Sequence, residues 1–182
     1  MKNKEEFRKE FISIRNKISN KLEKSNIIME KIIEEELYKN AKVIALYKSL
    51  PSEVDTNKLI EYSVQKGKTV VLPKAFCNEL KFYKISIDET LIKSKFGVEE
   101  PKGLDENFVD KKDIDLVIVP GVCFDKCKNR MGFGKGYYDR FLAGTNLNTF
   151  GICFEEQIAK EVPVDSNDIK MDKIITDGKC YE

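Results

Sequence analysis

The chain is expected to fold as an α/β three-layer sandwich, with helices on both faces of a mainly parallel central sheet. Helical and strand-like stretches alternate along its 182 residues. The apolar runs Val-Ile-Ala-Leu at 43–46 and Leu-Val-Ile-Val at 116–119 are unbroken, as strands covered on both faces require. No linker or shift of composition divides the chain, so one core and one domain over 1–182, Rossmann-like in outline, is the simplest arrangement.

Residues 2–19 read as a helix with Phe7, Phe11, Ile14 and Ile18 along one face. Lys4, Arg8 and Arg15 lie within roughly 40° of one another around it, a basic stripe beside the apolar one. A second helix is expected over 23–38, with Ile28, Ile32 and Leu37 among its apolar positions. Residues 41–50 read as a buried strand ending in the turn Pro51-Ser52-Glu53-Val54-Asp55-Thr56. A helix then runs to about Lys66, capped by Asp55 or Thr56 and ended by Gly67. Further strands are expected over 69–73, 80–85, 115–120 and 149–154, with a short last one over 174–176. Residues 93–112 are polar and without period, a long loop of the kind that moves or covers a site.

Thirty-two basic residues against 31 acidic leave a net charge of +1, which argues against a dedicated nucleic-acid binder. No run approaches the ~20 apolar residues of a membrane span, and the charged start has no apolar stretch behind it. A cytoplasmic monomer that binds neither membrane nor nucleic acid is therefore expected. The five cysteines are odd in number and scattered, which fits reduced thiols. Cys123 and Cys127 have no second pair and no histidine to complete a zinc site. The complete absence of histidine excludes Ser-His-Asp and Cys-His catalysis. It is harmless for phosphoryl transfer, where positioning and charge stabilisation dominate.

The densest stretch is Arg130-Met131-Gly132-Phe133-Gly134-Lys135-Gly136-Tyr137-Tyr138-Asp139-Arg140. Alternating glycines let backbone approach a bulky anion, and a strand precedes while a helix follows. Arg130 and Lys135 suit phosphate oxygens, and Asp139 offers a carboxylate for Mg2+ bridging them. The plain alternative is a surface turn with incidental charges. The spacing fits neither the Walker loop nor Gly-x-Gly-x-x-Gly. Only four arginines occur, Arg8, Arg15, Arg130 and Arg140, two on the basic stripe and two at this loop, which suggests one shared phosphate site.

The same stretch closely resembles the signature of the 5-formyltetrahydrofolate cyclo-ligase family, and the resemblance extends from Lys4 to Asp177. It implies that Lys4 and Arg8, a Lys-x-x-x-Arg pair, meet ATP phosphates together with Arg130, Gly132, Gly134, Lys135, Gly136, Tyr137 and Tyr138. It places Arg130, Lys135 and Tyr138 at the chemistry. Glu53, with Lys48, Phe133, Gly134, Lys135, Gly136 and Tyr137, becomes the folate-binding set. The resemblance also puts Asp139 and Asp168 on Mg2+. From the residues alone, Asp165 or Asp172 would serve as well as Asp168, and Glu53 reads equally as a pterin acceptor or a helix-dipole acid. Members often carry a third glycine where this chain has Lys135, and many bacterial members carry a histidine in the segment 162–168, where this chain has none.

The implied reaction uses ATP to phosphorylate the formyl oxygen of 5-formyltetrahydrofolate, after which the 10-nitrogen closes the ring and phosphate leaves. A sugar-phosphate isomerase or acyl-CoA transferase would use the same anion loop without ATP or metal. A nucleotide-binding regulatory module would bind without turnover. ATP consumption that needs both magnesium and a formylated folate separates the ligase from both.

Overall fold

A computed structural model of the protein describes residues 3–95 and 97–182. Lys2, the expected first residue of the opening helix, and Phe96, within the expected 93–112 loop, lie outside the described residues. The chain begins with α1 (Lys4–Lys17), α2 (Lys21–Glu34) and α3 (Glu36–Asn40). Then come β1 (Val43–Ala45), α4 (Asn57–Gln65), β2 (Thr69–Ala75), β3 (Leu80–Lys84), β4 (Ile92–Lys93), β5 (Glu99–Glu100) and β6 (Phe108–Val109). After β7 (Leu116–Pro120) follow β8 (Cys123–Asp125), β9 (Arg130–Met131) and α5 (Tyr137–Leu142). The chain closes with β10 (Asn148–Ile152), β11 (Ile158–Ala159), β12 (Lys173–Ile175) and β13 (Cys180–Tyr181).

Eight strands form the main sheet in the order β13-β12-β10-β7-β1-β2-β3-β6. Its centre, from β12 to β2, is parallel, with Ile44 beside Val70 and Phe150 beside Ile118. β13, β3 and β6 add antiparallel edges. Alternate residues of the central strands serve opposite layers, as a strand's period of two requires. Leu116 and Ile118 pack with Ile28 and Ile32 of α2 and Leu59 of α4. Val117 and Val119 pack with Phe124, Leu142 of α5 and Met171 on the other face. The fold is thus the expected α/β arrangement around a mainly parallel sheet.

Helix α1 belongs to neither layer. Phe11 anchors it on Val122, Cys123, Met131, Ala159 and Val162, beside the small sheet β11-β8-β9. Its start is fixed by a capping box in which Asn3 accepts from the Glu6 N–H and Glu6 accepts from the Asn3 N–H.

Four expectations change. The single helix over 23–38 is two helices, because Glu35 is extended (φ −67°, ψ 133°). The Glu35 carboxylate accepts two hydrogen bonds from Lys173 Nζ, at 2.8 and 2.7 Å. The strand over 41–50 shrinks to Val43–Ala45, because beyond Leu46 the chain leaves the ladder for the Glu53 turn. Residues 93–112 are less featureless than the composition suggests, holding β5, two 3-10 turns and the edge strand β6. At the start of α4, Asp55 accepts from Asn57 N at 2.8 Å, while the Thr56 hydroxyl donates instead to Tyr47 O at 2.6 Å.

The β8–β9 hairpin, unforeseen in the sequence, is held by buried Asp125. Its Oδ1 accepts from Cys127 N and Asn129 N, and its Oδ2 from Asn129 Nδ2 and Val162 N, all between 2.9 and 3.0 Å. Asp125→Ala strands buried donors on two segments at once. It is expected to lower stability by about 3 kcal/mol, read as a fall in the urea midpoint with unchanged slope.

Candidate active site

A cavity of about 590 Å³ opens at the carboxyl ends of β1, β2 and β7, where open α/β sheets gather ligands. Lys4 and Arg8 reach it from α1, and Lys48 and Glu53 from the chain after β1. Arg130 comes from β9, and Gly132, Phe133, Gly134, Lys135 and Gly136 from the glycine loop. Tyr137, Tyr138 and Asp139 enter from α5, and Asp168 from the segment before β12. All the residues that the family resemblance assigns to the site therefore line this one cavity, although the sequence separates them by as much as 164 positions.

The loop's shape follows from its glycines at two positions. Gly136 sits at φ 64° as the residue before α5, a conformation that side chains strain to adopt. At Gly132 a Cβ would stand 2.7 Å from Arg130 Nη1, so the backbone passes the guanidinium only without a side chain. The helix behind the loop, α5, is six residues long. The positive dipole end expected there is accordingly minor, and the cations carry the attraction for an anion.

Those cations are paired in advance. Lys4 Nζ lies 2.5 Å from Asp168 Oδ2 and 2.7 Å from Asp165 Oδ2. Burial alone would lower the Lys4 ammonium, but its hydrogen bonds to Asp165 and Asp168 leave it above the ordinary lysine value. Desolvation opposes ionisation of Asp168, and Lys4 with the Asp165 N–H overrides it, holding that carboxyl below the ordinary value. Arg130, whose side chain is 5% exposed, places Nη2 2.8 Å from Asp139 Oδ2. Ile169 N donates to the other Asp139 oxygen at 3.3 Å. Arg8 donates from Nε to the Gly132 carbonyl at 2.8 Å, stitching α1 to the loop. The Tyr138 ring lies 5.7 Å from the Arg130 guanidinium carbon, and burial raises its phenol, so it stays a neutral donor.

On the facing wall Glu53 is buried and accepts from Leu50 N at 2.9 Å. Burial raises its carboxyl, while the Leu50 N–H and Arg15 pull it back. β5 completes the wall with Glu99 and Glu100, and Lys48 Nζ lies 3.8 Å from Glu99. Sequence reading missed both acids, whose two-residue strand carries no periodic signal. Asp165, left as an alternative to Asp168, also lines the cavity; Asp172 instead accepts from Thr149 N and Oγ1.

Of the four arginines read as one phosphate site, the structure brings two to the cavity. Arg8 and Arg130 line the cavity. Arg140 braces the loop from behind, donating to Asn78 O at 2.6 Å and Lys135 O at 2.8 Å. Arg15 is buried behind the wall. Among the described residues no helix is long and apolar enough to cross a membrane.

A family model described as the 5-formyltetrahydrofolate cyclo-ligase family matches residues 1–177. A probable 5-formyltetrahydrofolate cyclo-ligase of Schizosaccharomyces pombe is 34% identical over 169 residues, covering 84% of this chain and 83% of the relative. The 5-formyltetrahydrofolate cyclo-ligase of Mus musculus is 30% identical over 168 residues, covering 85% and 83%. The NMR structure of Aquifex aeolicus 5,10-methenyltetrahydrofolate synthetase superposes with a TM-score of 0.85 at 32% identity, covering 98% of this chain and 91% of that one. A cavity that joins a cationic glycine loop to a buried acid on the facing wall, on this fold and with these likenesses, leads to one conclusion: the chain belongs to the 5-formyltetrahydrofolate cyclo-ligase family, ATP-dependent ligases of folate one-carbon metabolism.

Proposed function

We propose that the cavity binds 5-formyltetrahydrofolate against the Glu53 turn and ATP against the glycine loop, so that a phosphoryl group passes to the formyl oxygen. The overall reaction of the enzyme is conversion of 5-formyltetrahydrofolate to 5,10-methenyltetrahydrofolate. The observation that carries the proposed course is the meeting of both walls in one cavity.

A formamide is a poor electrophile, and phosphorylation is the remedy. The formyl oxygen attacks the γ-phosphorus, the bond to the β-bridging oxygen breaks, and ADP leaves with its electron pair. The 5-nitrogen lone pair forms the iminium phosphate, the 10-nitrogen attacks its carbon, and loss of phosphate and the 10-nitrogen proton gives the methenyl bridge. Arg130, Lys135, Lys4 and Arg8 hold the phosphates and offset the charge on the transferring group. Glycine-loop N–H groups orient the γ-phosphoryl, and the neutral Tyr138 with Tyr137 shapes the wall where formyl and phosphate meet. Glu53 accepts from the N–H edge of the pterin, with Lys48 and Phe133 beside it. Nucleophile and electrophile share one folate, so holding that folate supplies much of the acceleration.

Asp139 and Asp168 fit Mg2+ by donor chemistry. They are hard carboxylate oxygens at the phosphate side of the cavity, and Mg2+ favours one or two carboxylates completed by phosphate oxygens. Among the described residues no group of three His, Cys, Asp or Glu forms a protein-only cage. When bound, the ion supplies neutralisation between phosphate oxygens. Residues 1–182 act as one cyclo-ligase domain, which is supported by a cavity lining that draws on residues from Lys4 to Asp168, and the domain acts as a monomer. A cytoplasmic location is supported by five unpaired cysteines.

The deciding assay follows ADP release with and without each component. Release that requires both Mg2+ and 5-formyltetrahydrofolate supports this course, and release without folate overturns it. A second test separates the walls. Changing Lys4 and Arg8 together to Gln is expected to raise the KM for ATP about 100-fold, at ~1.5 kcal/mol or more for each charged hydrogen bond. The KM for folate should change by no more than about twofold, and equal weakening of both would place the pair outside the phosphate site.

A further inference from the structure

Arg15 is 3% exposed, yet its Nε and Nη1 are buried without a hydrogen-bond partner. A buried guanidinium is costly unless an opposite charge and hydrogen bonds compensate it. The carboxylate placed to do so is Glu53, whose Oε1 lies 3.6 Å from Arg15 Nη1. The same guanidinium carbon stands 5.3 Å from the centroid of the Phe133 ring, within cation–π range. Arg15 thus reaches two residues of the cavity lining, Glu53 and Phe133, without lining the cavity itself.

We infer that Arg15 is a positioning residue for folate recognition: from behind the wall it keeps Glu53 an anion aimed into the cavity and holds Phe133 over the same subsite. The inference rests on Glu53 being the pterin acceptor. Its chemistry is that of an acceptor kept ionised where water is excluded. Burial favours the protonated acid, and a protonated carboxyl presents a donor to a ring edge that is itself a donor. One positive charge behind the carboxylate opposes that failure. Phe133 is 48% exposed, so the guanidinium beneath it restrains a ring that the loop alone leaves uncovered. Lysine is a poor substitute, because an ammonium lacks the flat face that stacks on an aromatic ring.

The alternative is that Arg15 only docks α1. The two roles differ in which ligand suffers, since α1 also carries Lys4 and Arg8. Loss of docking would disturb the phosphate wall, whereas loss of positioning would disturb folate alone. The test titrates 5-formyltetrahydrofolate and, separately, a non-hydrolysable ATP analogue with Mg2+ into the full chain, its Arg15→Met and Glu53→Gln variants and the double variant. Arg15→Met is expected to raise the folate Kd about tenfold and leave the analogue's Kd within about twofold, and the double variant should bind folate no worse than Glu53→Gln, the mark of residues acting as one unit. Unchanged folate affinity in Arg15→Met beside a loss in Glu53→Gln overturns the inference alone. Losses that multiply in the double variant, or equal losses on both ligands, do the same. Unchanged folate affinity in Glu53→Gln overturns the acceptor reading and this inference with it. If Arg15→Met does not fold, Arg15→Lys takes its place: folate weakened alone supports positioning, and any other pattern rejects it.

Discussion

Asp139→Asn is expected to cut turnover roughly 100- to 1000-fold, the scale seen when one preorganised electrostatic group is lost from a reacting centre. The change keeps size and removes the charge. The replacement's amide oxygen still accepts from Arg130 Nη2, which now lies 2.8 Å from Asp139 Oδ2, so the fold survives with the melting point a few degrees lower. In the proposed role of Asp139, what disappears is a hard anionic ligand for Mg2+. Turnover at saturating ATP should therefore climb back in part as Mg2+ is raised, while the wild type is already saturated. Measuring kcat across a magnesium series on both proteins decides the matter. Near-normal kcat at ordinary magnesium would reduce Asp139 to a clamp for Arg130.

The second large effect is expected at Glu53. In the proposed binding mode this buried acceptor takes N–H donors of the pterin, and Glu53→Gln turns half of that edge into an opposed donor. Charged hydrogen bonds of this kind contribute about 1.5–3 kcal/mol, so folate affinity should fall at least ~10-fold while ATP affinity holds. Because burial raises the Glu53 carboxyl above its ordinary 4.5, the acceptor is lost as pH falls through that raised value. Folate affinity of the wild type should decline toward acid pH earlier than an exposed glutamate would allow. Arg15 from α1, Tyr47 from the chain after β1 and Tyr138 from α5 face the carboxylate, and only Arg15 carries charge in that range. The acid limb should vanish in Glu53→Gln. A lower melting point with unchanged folate binding would make Glu53 a structural acid only.

The sequence exposed those parts of the molecule whose physics is local. β7 was legible because four consecutive apolar residues serve both layers, and the glycine loop because its conformational demands are met only by particular residues. The break between α2 and α3 was not, since Glu35 reads locally as one more helix-forming residue and the partner of its carboxylate, Lys173, lies 138 positions away. β8 and β9 are too short for a period of two to show, and Asp125, which holds them, looks in sequence like any polar turn residue. Arg15 gave one faint sign, its membership in a set of only four arginines. Nothing local tells that it lies against Glu53, because that proximity exists only once α1 has docked.

The docking of α1 also sets a clock. Lys4 meets Asp168 across 164 positions, and Arg8 meets the Gly132 carbonyl across 124. A ribosome adding about 5–20 residues per second needs roughly 8–33 s to pass from the first of these partners to the last. Until Gly132 and then Asp168 have been added, Arg8 and Lys4 have no partner to close upon. A nascent chain stalled before Asp168 therefore holds α1 without the Lys4–Asp168 pair that ties it to the cavity.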